Sequence, residues 1–426
     1  MAIRVTARLC AVVVCWAFIA SMHAGDWPQW RGANRDGHAA SDELSLSDLA
    51  RGPKVLWKLE IGGGFSSPVV AGTNLIYLDA QDDKEVVHAL NALDGKELWR
   101  IPFSSLYQDE WSPGSRSTPI IEGDRVYVQS CKGEFRCLNL LDGKTLWGVS
   151  FEKDFGVKFI GSKGNDSSTG GAATRRGNNG SGVIDGERIF VPVGSTEGAS
   201  LVCFDRLTGK SLWKSQNDEA AYSSLMVGTL AGVRQVIYFS ADALMGLEPA
   251  TGKLLWRVPL KTFAKRHAAS PIIFGDSVIV NSVTLGILCT KLCKAGDGLK
   301  ASQAWVNRDM KINIATPVLV DHYLYCQGPG KEFVCVDAAN GKLMWSQDGF
   351  GDKYSAVLAL GKDLLVVTDR GELVVVAADS SKYTQLARLQ ICGKTWNHPA
   401  YADRRLYVRE GLNSSWKLTC FNLHAN

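Results

Sequence analysis

The chain has 426 residues, of which 46% are hydrophobic and 21% are charged, a composition typical of a soluble globular protein. Its 47 basic residues nearly balance 43 acidic residues, which leaves a formal net charge of +4 at pH 7. Because this balance creates no strong field for a polyanion, we expect no nucleic-acid partner and no direct electrostatic attraction to an anionic membrane.

The N-terminus carries the pattern of a secretory signal. Two arginines precede an apolar run from Leu9 to Ala20, and small and polar residues follow. This layout is typical of a signal peptide, and the run is short for a membrane span. We predict a signal peptide over residues 1–24 and export to the periplasm or the medium. An uncleaved N-terminal segment is the alternative.

A six-residue motif that ends in Gly-Lys-x-Leu-Trp recurs along the chain. Its five copies are Asp94–Trp99, Asp142–Trp147, Thr208–Trp213, Thr251–Trp256 and Asn340–Trp345. Asp, Asn or Thr before Gly favours a tight hairpin turn, since glycine adopts positive φ at little steric cost. Each copy therefore predicts a turn that leads into a strand.

Each motif is preceded by alternating apolar runs, and these are preceded by Ser/Thr-Pro and a β-branched run. The Ser/Thr-Pro signals start at Ser67, Thr118, Ser270 and Thr316. The pattern predicts four antiparallel strands per unit. Because one small sheet cannot cover both of its own faces, we expect the units to close radially into a β-propeller. The repeat tryptophans should pack between neighbouring blades.

The two ends of the repeat array complement each other. A divergent unit spans Tyr354 to Gln390, and a last unit, His398 to Leu423, stops after three strands. The segment Val55 to Leu59 has the pattern of a fourth strand with no unit before it. We predict an all-β, eight-bladed propeller over residues 52–426 in which this N-terminal strand completes the last blade and leaves no open sheet edge. Residues 25–51 form a leader.

On these motifs, over roughly residues 52–423, the chain resembles the pyrroloquinoline-quinone-like (PQQ-like) repeat propellers. This family includes quinoprotein alcohol dehydrogenases and BamB, a lipoprotein of outer-membrane assembly. The leader Asp26-Trp27-Pro28-Gln29-Trp30-Arg31-Gly32 also resembles the start of many exported bacterial members. The resemblance implies a fold, because the motif serves turns and packing.

The resemblance leaves function open between three classes. Members that oxidise alcohols carry two adjacent cysteines and a calcium ion beside the quinone, and this sequence has no Cys-Cys pair. We therefore expect no cofactor and no metal, and a non-catalytic, BamB-like scaffold that binds an envelope protein or peptide as a monomer. A PQQ- and calcium-dependent dehydrogenase of reduced form is the alternative, and an extracytoplasmic sensor module is the second alternative.

Four of the 11 cysteines occupy one position of the repeat, five residues before the turn. The residues in this position are Ala89, Cys137, Cys203, Gly246, Cys335, Val375 and Cys420. Small apolar side chains fit a buried position, and free cysteine behaves as one, so we predict structural thiols. Cys131 with Cys137, and Cys326 with Cys335, remain candidate cross-strand pairs. Cys289 and Cys293 resemble half of a metal site without a second half.

Two regions are candidates for binding. Residues before the first strand of each blade should surround one mouth of the central channel. The candidates there are Phe65, Trp111, Arg116, Tyr222, His267, Tyr354, Trp396 and His398. The second region is a Gly/Ser/Asn-rich insertion from Gly161 to Gly182 with Lys163, Arg175 and Arg176. The alternatives are aromatic packing that only fills the channel and a surface loop without function.

Overall fold

The computed structural model describes residues 25–40, 44, 46–49, 52–109, 111–157, 177–260, 262, 265, 267–412 and 415–424. Its described helices are two short turns, Leu46–Leu49 and Phe151–Phe155. None of the described helices is long and apolar enough to cross a membrane. The predicted signal segment lies outside the described residues.

Eight four-stranded antiparallel sheets form the blades, as the sequence predicts. Blade 1 comprises Val69–Ala71, Asn74–Gln81, Lys84–Asn91 and Glu97–Ser105. Blade 2 comprises Ile120–Glu122, Arg125–Gln129, Glu134–Asn139 and Thr145–Ser150. Blade 3 comprises Val183–Asp185, Arg188–Val191, Leu201–Asp205 and Ser211–Ser215. Blade 4 comprises Met226–Leu230, Val233–Phe239, Ala243–Leu247 and Leu254–Pro259.

The second half of the ring repeats this order. Blade 5 comprises Ile272–Phe274, Ser277–Ser282, Gly286–Ala295 and Gly298–Asn307. Blade 6 comprises Val318–Val320, Tyr323–Gln327, Glu332–Asp337 and Leu343–Asp348. Blade 7 comprises Ser355–Leu360, Asp363–Thr368, Glu372–Ala377 and Gln385–Gln390. Blade 8 comprises Ala400–Ala402, Arg405–Glu410, Trp416–Asn422 and Lys54–Ile61.

Blade 8 confirms the predicted closure. Its fourth strand, Lys54–Ile61, pairs antiparallel with Trp416–Asn422, and Trp57 lies opposite Cys420. The N-terminal strand thus joins the last blade to the rest of the ring. Fully buried Arg409 reinforces this joint, because its guanidinium donates to the carbonyls of Gly62, Ser66 and Leu78.

The repeat tryptophans join each blade to the next, as predicted. The indole N–H of Trp57 donates to Ala92 O at 3.0 Å, and that of Trp147 donates to Arg206 O at 3.1 Å. Equivalent bonds start from Trp99, Trp213, Trp305 and Trp345. Trp256 differs, because it bonds within its own blade to Gln235 and the next blade carries a longer hairpin.

Two features of the structure require glycine in the motif: a positive φ angle and the close approach of a tryptophan ring. Gly209 has a φ of +73°, and a Cβ there would lie 2.5 Å from the Trp147 ring of the preceding blade. Gly95, Gly143, Gly252 and Gly341 have the same relation to the preceding tryptophan. The glycine of each motif therefore packs against the tryptophan of the preceding blade, and the same motif also contains a repeat tryptophan of its own.

The cysteine position lies directly opposite the repeat tryptophan. Cys137 pairs with Trp147, Cys203 with Trp213, and Cys335 with Trp345. Cys289 has the same relation to Trp305, which the sequence analysis missed. The nine described cysteines are free thiols, and Cys137, Cys203 and Cys335 are fully buried.

The first part of the leader, residues 25–39, lies along the axis of the ring. We call these residues the channel segment, because they contact the inner part of all eight blades. From blade 1 to blade 8, its hydrogen-bonding partners are Val70, Ile121, Ser181, Leu225, Ser270, Pro317, Ala359 and Asp403. Residues His38–Ala39 also form a short parallel pairing with blade 7. The channel segment is thus an internal part of the propeller.

Two buried arginines anchor the channel segment. Arg31 donates to Pro317 O at 2.7 Å and to Asp36 O at 3.1 Å, whereas Arg35 donates to Leu225 O at 2.9 Å. Burial lowers the pKa of Arg31 to about 10 and that of Arg35 to about 9, so both remain protonated at neutral pH. Backbone carbonyls, with the Gln29 side chain for Arg35, accept most of these hydrogen bonds, as a buried charge requires, whereas Arg31 Nε has no partner among the described residues.

Candidate functional site

A cavity of about 540 Å³ occupies one mouth of the central channel. Its aromatic lining residues are Trp30, Phe65, Trp111, Tyr222, Tyr354 and Trp396. Its polar and charged lining residues are Ser67, Arg116, Thr118, Asn179, Ser181, Ser224, Asn313, Lys353 and His398. Apolar walls with a few polar groups are typical of small-molecule sites, which span about 300–1,000 Å³.

The structure brings most of the predicted mouth residues together. Those that line the cavity are Phe65, Trp111, Arg116, Tyr222, Tyr354, Trp396 and His398. His267 lies elsewhere: it is fully buried, stacks on Phe239 and contacts Ser240 O at 2.7 Å. The loop candidates Lys163, Arg175 and Arg176 lie outside the described residues. Binding by any of these residues stays a prediction.

The alternating direction of side chains along an extended segment explains why His267 lies outside the cavity lining. Side chains two residues apart point the same way. The cavity accordingly uses Phe65 and Ser67, and Trp396 and His398. Before blade 5 the lining residue is Ala268, so its neighbour His267 points away from the cavity.

An aromatic series forms one wall. Trp111 lies 5.3 Å from Trp396 between ring centroids, and Trp396 stacks on Phe65 at 5.9 Å. Trp111 is 39% exposed, an unusual exposure for a large aromatic side chain. The wall therefore presents a broad apolar surface at the entrance of the cavity.

Two cationic side chains flank this aromatic wall. Arg116 forms an ion pair with Asp109 at 2.6 Å, and its guanidinium carbon lies 5.5 Å from the centroid of Phe65. Burial opposes ionisation of Asp109, but Arg116 outweighs burial and holds the pKa of the carboxyl below its ordinary value. The exposed Lys353 places its ammonium 5.7 Å from the Trp111 ring centroid. Lys353 therefore supplies positive charge at the rim.

The channel segment contributes an indole to the cavity. Trp30 donates its indole N–H to Ser270 Oγ at 2.9 Å and meets the ring of His398 edge to face at 5.2 Å. The channel segment thus forms part of the floor of the cavity through Trp30. Sequence reasoning missed Trp30, since only its position in a family-like leader distinguished it.

Two polar side chains of the floor keep hydrogen-bonding capacity. His398 is 5% exposed, and its Nδ1 lies 2.9 Å from Pro399 O, so Nδ1 carries the proton. Burial, aided by the charge of Arg31, lowers the pKa of His398 to about 3, so the ring is neutral. His398 Nε2 and Ser67 Oγ have no hydrogen-bond partner within the described part of the chain.

The described lining of the cavity includes no carboxylate that could hold calcium beside a quinone. Calcium takes six to eight oxygen ligands, usually with carboxylates among them. No carboxylate of the described residues lines the cavity, and these residues contain no cluster of three or more His, Cys, Asp and Glu. Asp109, an acidic residue beside the cavity, already forms an ion pair with Arg116.

Comparisons with known proteins agree on the architecture. A family model described as outer membrane protein assembly factor BamB matches residues 41–153 and 294–390. Among solved structures, BamB from Moraxella catarrhalis is similar with a TM-score of 0.53 and 12% identity, covering 86% of this chain and 98% of that chain.

Two further structures show how widely this fold is shared. A europium-containing methanol dehydrogenase has a TM-score of 0.50 and 13% identity, covering 94% of this chain and 98% of that chain. The computationally designed Ika8 protein has a TM-score of 0.57 and 12% identity, covering 87% of this chain and 99% of that chain. No curated protein sequence matches the chain. At these identities the structural matches concern fold alone.

Proposed function

We propose that this chain, a BamB-like β-propeller of PQQ-like repeats, is an exported, non-catalytic binding protein that holds its ligand in the cavity at the channel mouth. The carrying observation is the cavity itself: six aromatic side chains around about 540 Å³, with Trp30 of the channel segment in its floor. A site of this kind provides shape and apolar area, and its described lining residues include no paired acid and base for catalysis.

The proposal includes a place in the cell envelope and a binding role. The family model matches a factor of outer membrane assembly, and the sequence begins with a signal-like segment. A ligand or a partner segment would enter from the open mouth, because residues 25–39 lie along the axis of the ring. We propose a monomer, since closure within one chain leaves no blade incomplete.

A dehydrogenase of reduced form is the competing function. It predicts that the purified protein binds PQQ with calcium and reduces an electron-accepting dye in the presence of alcohols. We expect neither tight binding nor turnover, because the described lining residues offer no carboxylate for calcium. Turnover that disappears in Trp396→Ala would overturn the binding-protein proposal.

A capture experiment tests the binding role directly. Immobilised wild-type protein, Trp111→Ala and the control Leu141→Ala are exposed to envelope extract from the source cells. Trp111 lines the cavity, whereas Leu141 is 87% exposed and lies outside it. We expect a ligand retained by the wild type and by Leu141→Ala and lost by Trp111→Ala. Equal retention by all three would place binding elsewhere.

A further inference from the structure

We infer that the cavity binds an acidic saccharide, with a ligand hydroxyl at the floor and the acidic group at the rim beside Lys353. This inference rests on the proposed binding function and names the ligand class. It follows from the aromatic wall, from the floor and from the charge of the lining.

The aromatic wall fits the faces of sugar rings. A pyranose ring has C–H groups on its faces and hydroxyls on its edge, so it stacks on an indole and hydrogen-bonds sideways. Trp111 and Trp396 lie 5.3 Å apart, and Trp111 is open to solvent. Rings at this spacing give a platform for one or two sugar units, within the size that the cavity allows.

The floor favours a hydroxyl over a carboxylate or a bare aromatic ring. His398 Nε2 is an acceptor, because Nδ1 carries the only proton of the neutral ring. Ser67 Oγ both donates and accepts. Both atoms are buried without partners among the described residues. A ligand hydroxyl that contacts His398 Nε2 can donate to it, and one that contacts Ser67 Oγ can donate to it or accept from it; either bond removes the cost of an unpaired buried polar group.

The rest of the lining agrees with a hydroxylated ligand. Asn179 and Asn313 provide amides, and Thr118, Ser181 and Ser224 provide hydroxyls. Among the described lining residues, the charged side chains are Arg116 and Lys353, and none is a carboxylate. Because Arg116 is already paired with Asp109, Lys353 is the cation available to a carboxylate or sulfate ester of the ligand. A cationic ligand is disfavoured by the same charges.

Titration calorimetry with defined oligosaccharides tests this inference. The probes are tetragalacturonate, a sulfated tetrasaccharide from carrageenan, and neutral cellotetraose. We expect one acidic probe to bind more tightly than the neutral one. Lys353→Gln should lower that affinity about tenfold at low salt and leave the neutral probe unchanged, and the effect should shrink in high salt. Lys382→Gln, an exposed lysine outside the cavity lining, is the matched control.

The floor and the wall are tested by two more variants. Ser67→Ala should weaken saccharide binding several-fold without loss of folding, and Trp111→Ala should weaken it at least tenfold. An aromatic acidic peptide, acetyl-Glu-Trp-Glu-amide, is the competing probe.

The outcomes separate the two proposals. If the peptide binds in a Trp111-dependent manner and no saccharide does, the saccharide inference is wrong and the binding function stands. If saccharides bind equally to wild type, Trp111→Ala and Lys353→Gln, the inference is also wrong. If nothing binds and capture is unchanged in Trp111→Ala, the proposed function itself fails.

Discussion

The perimeter of this propeller is built from residues that repeat from blade to blade, whereas its axis is built from residues that do not repeat. At the perimeter, the same tryptophan, turn glycine and cysteine position recur from blade to blade, and every repeat indole N–H except that of Trp256 donates to an equivalent backbone carbonyl. Along the axis, one non-repeating segment meets each of the eight blades through a different contact. The repeat therefore determines architecture, whereas the individual residues at the axis determine what the site can bind.

Substitutions at the perimeter and at the axis should differ in how much they lower the free energy of unfolding. We expect the largest loss from a substitution at the perimeter. Trp147→Ala removes an indole that packs on Phe135, Tyr127 and Phe204 and bonds to Arg206 O. We expect a loss of about 3–5 kcal/mol in the free energy of unfolding, measured by chemical denaturation. Gly209→Ala, which forces a Cβ into the same ring, should also destabilise. A loss below that of the exposed control Leu141→Ala would contradict the role of the motif.

The second effect concerns a buried acid beside the mouth. Burial raises the pKa of Glu85 from 4.5 to about 7, although Ser115 hydrogen-bonds to it and opposes the shift. The native state therefore binds more protons than the unfolded state between about pH 4.5 and 7, and stability falls as pH rises through this window. Glu85→Gln should remove this dependence and exceed the wild type at pH 8 by up to about 3 kcal/mol, since one pKa unit corresponds to about 1.4 kcal/mol.

The pH experiment has an internal control. Denaturation of both proteins is measured at pH 5 and pH 8. We expect the difference between wild type and Glu85→Gln to be large and in favour of the variant only at pH 8. The same difference at both pH values would show that Glu85 does not titrate in this range.

The smallest effect is expected from the axis. Arg31→Met leaves the carbonyls of Pro317 and Asp36 without their donor, at a cost of about 1–3 kcal/mol. Arg234→Met, which breaks an exposed pair with Asp185, is the control and should cost less than about 1 kcal/mol. If the two variants are equally stable, the channel segment fills space without anchoring the blades.

Periodicity explains how much of the fold the sequence could predict. The Gly-Lys-x-Leu-Trp motif predicted the turns and four of the buried cysteines, because these features repeat with the blade. Counting its copies also revealed the blade that is split between the two ends of the array. The axial position of the leader has no such signal, since Arg31 and Arg35 bind backbone carbonyls whose positions depend on the closed ring. His267 was misplaced for a local reason, as one residue of offset in an extended segment reverses the direction of a side chain. The alternation would also have found Asn179 and Ser181.

The strand Lys54–Ile61 has a consequence for the order of events in folding. Seven complete blades separate it in the sequence from its pairing partner, Trp416–Asn422. Ring closure therefore requires a contact between segments that are far apart in the sequence, and contacts of such separation form slowly. Until that contact forms, blade 8 lacks its outer strand. A variant that lacks Trp416–Asn422 therefore cannot complete the ring.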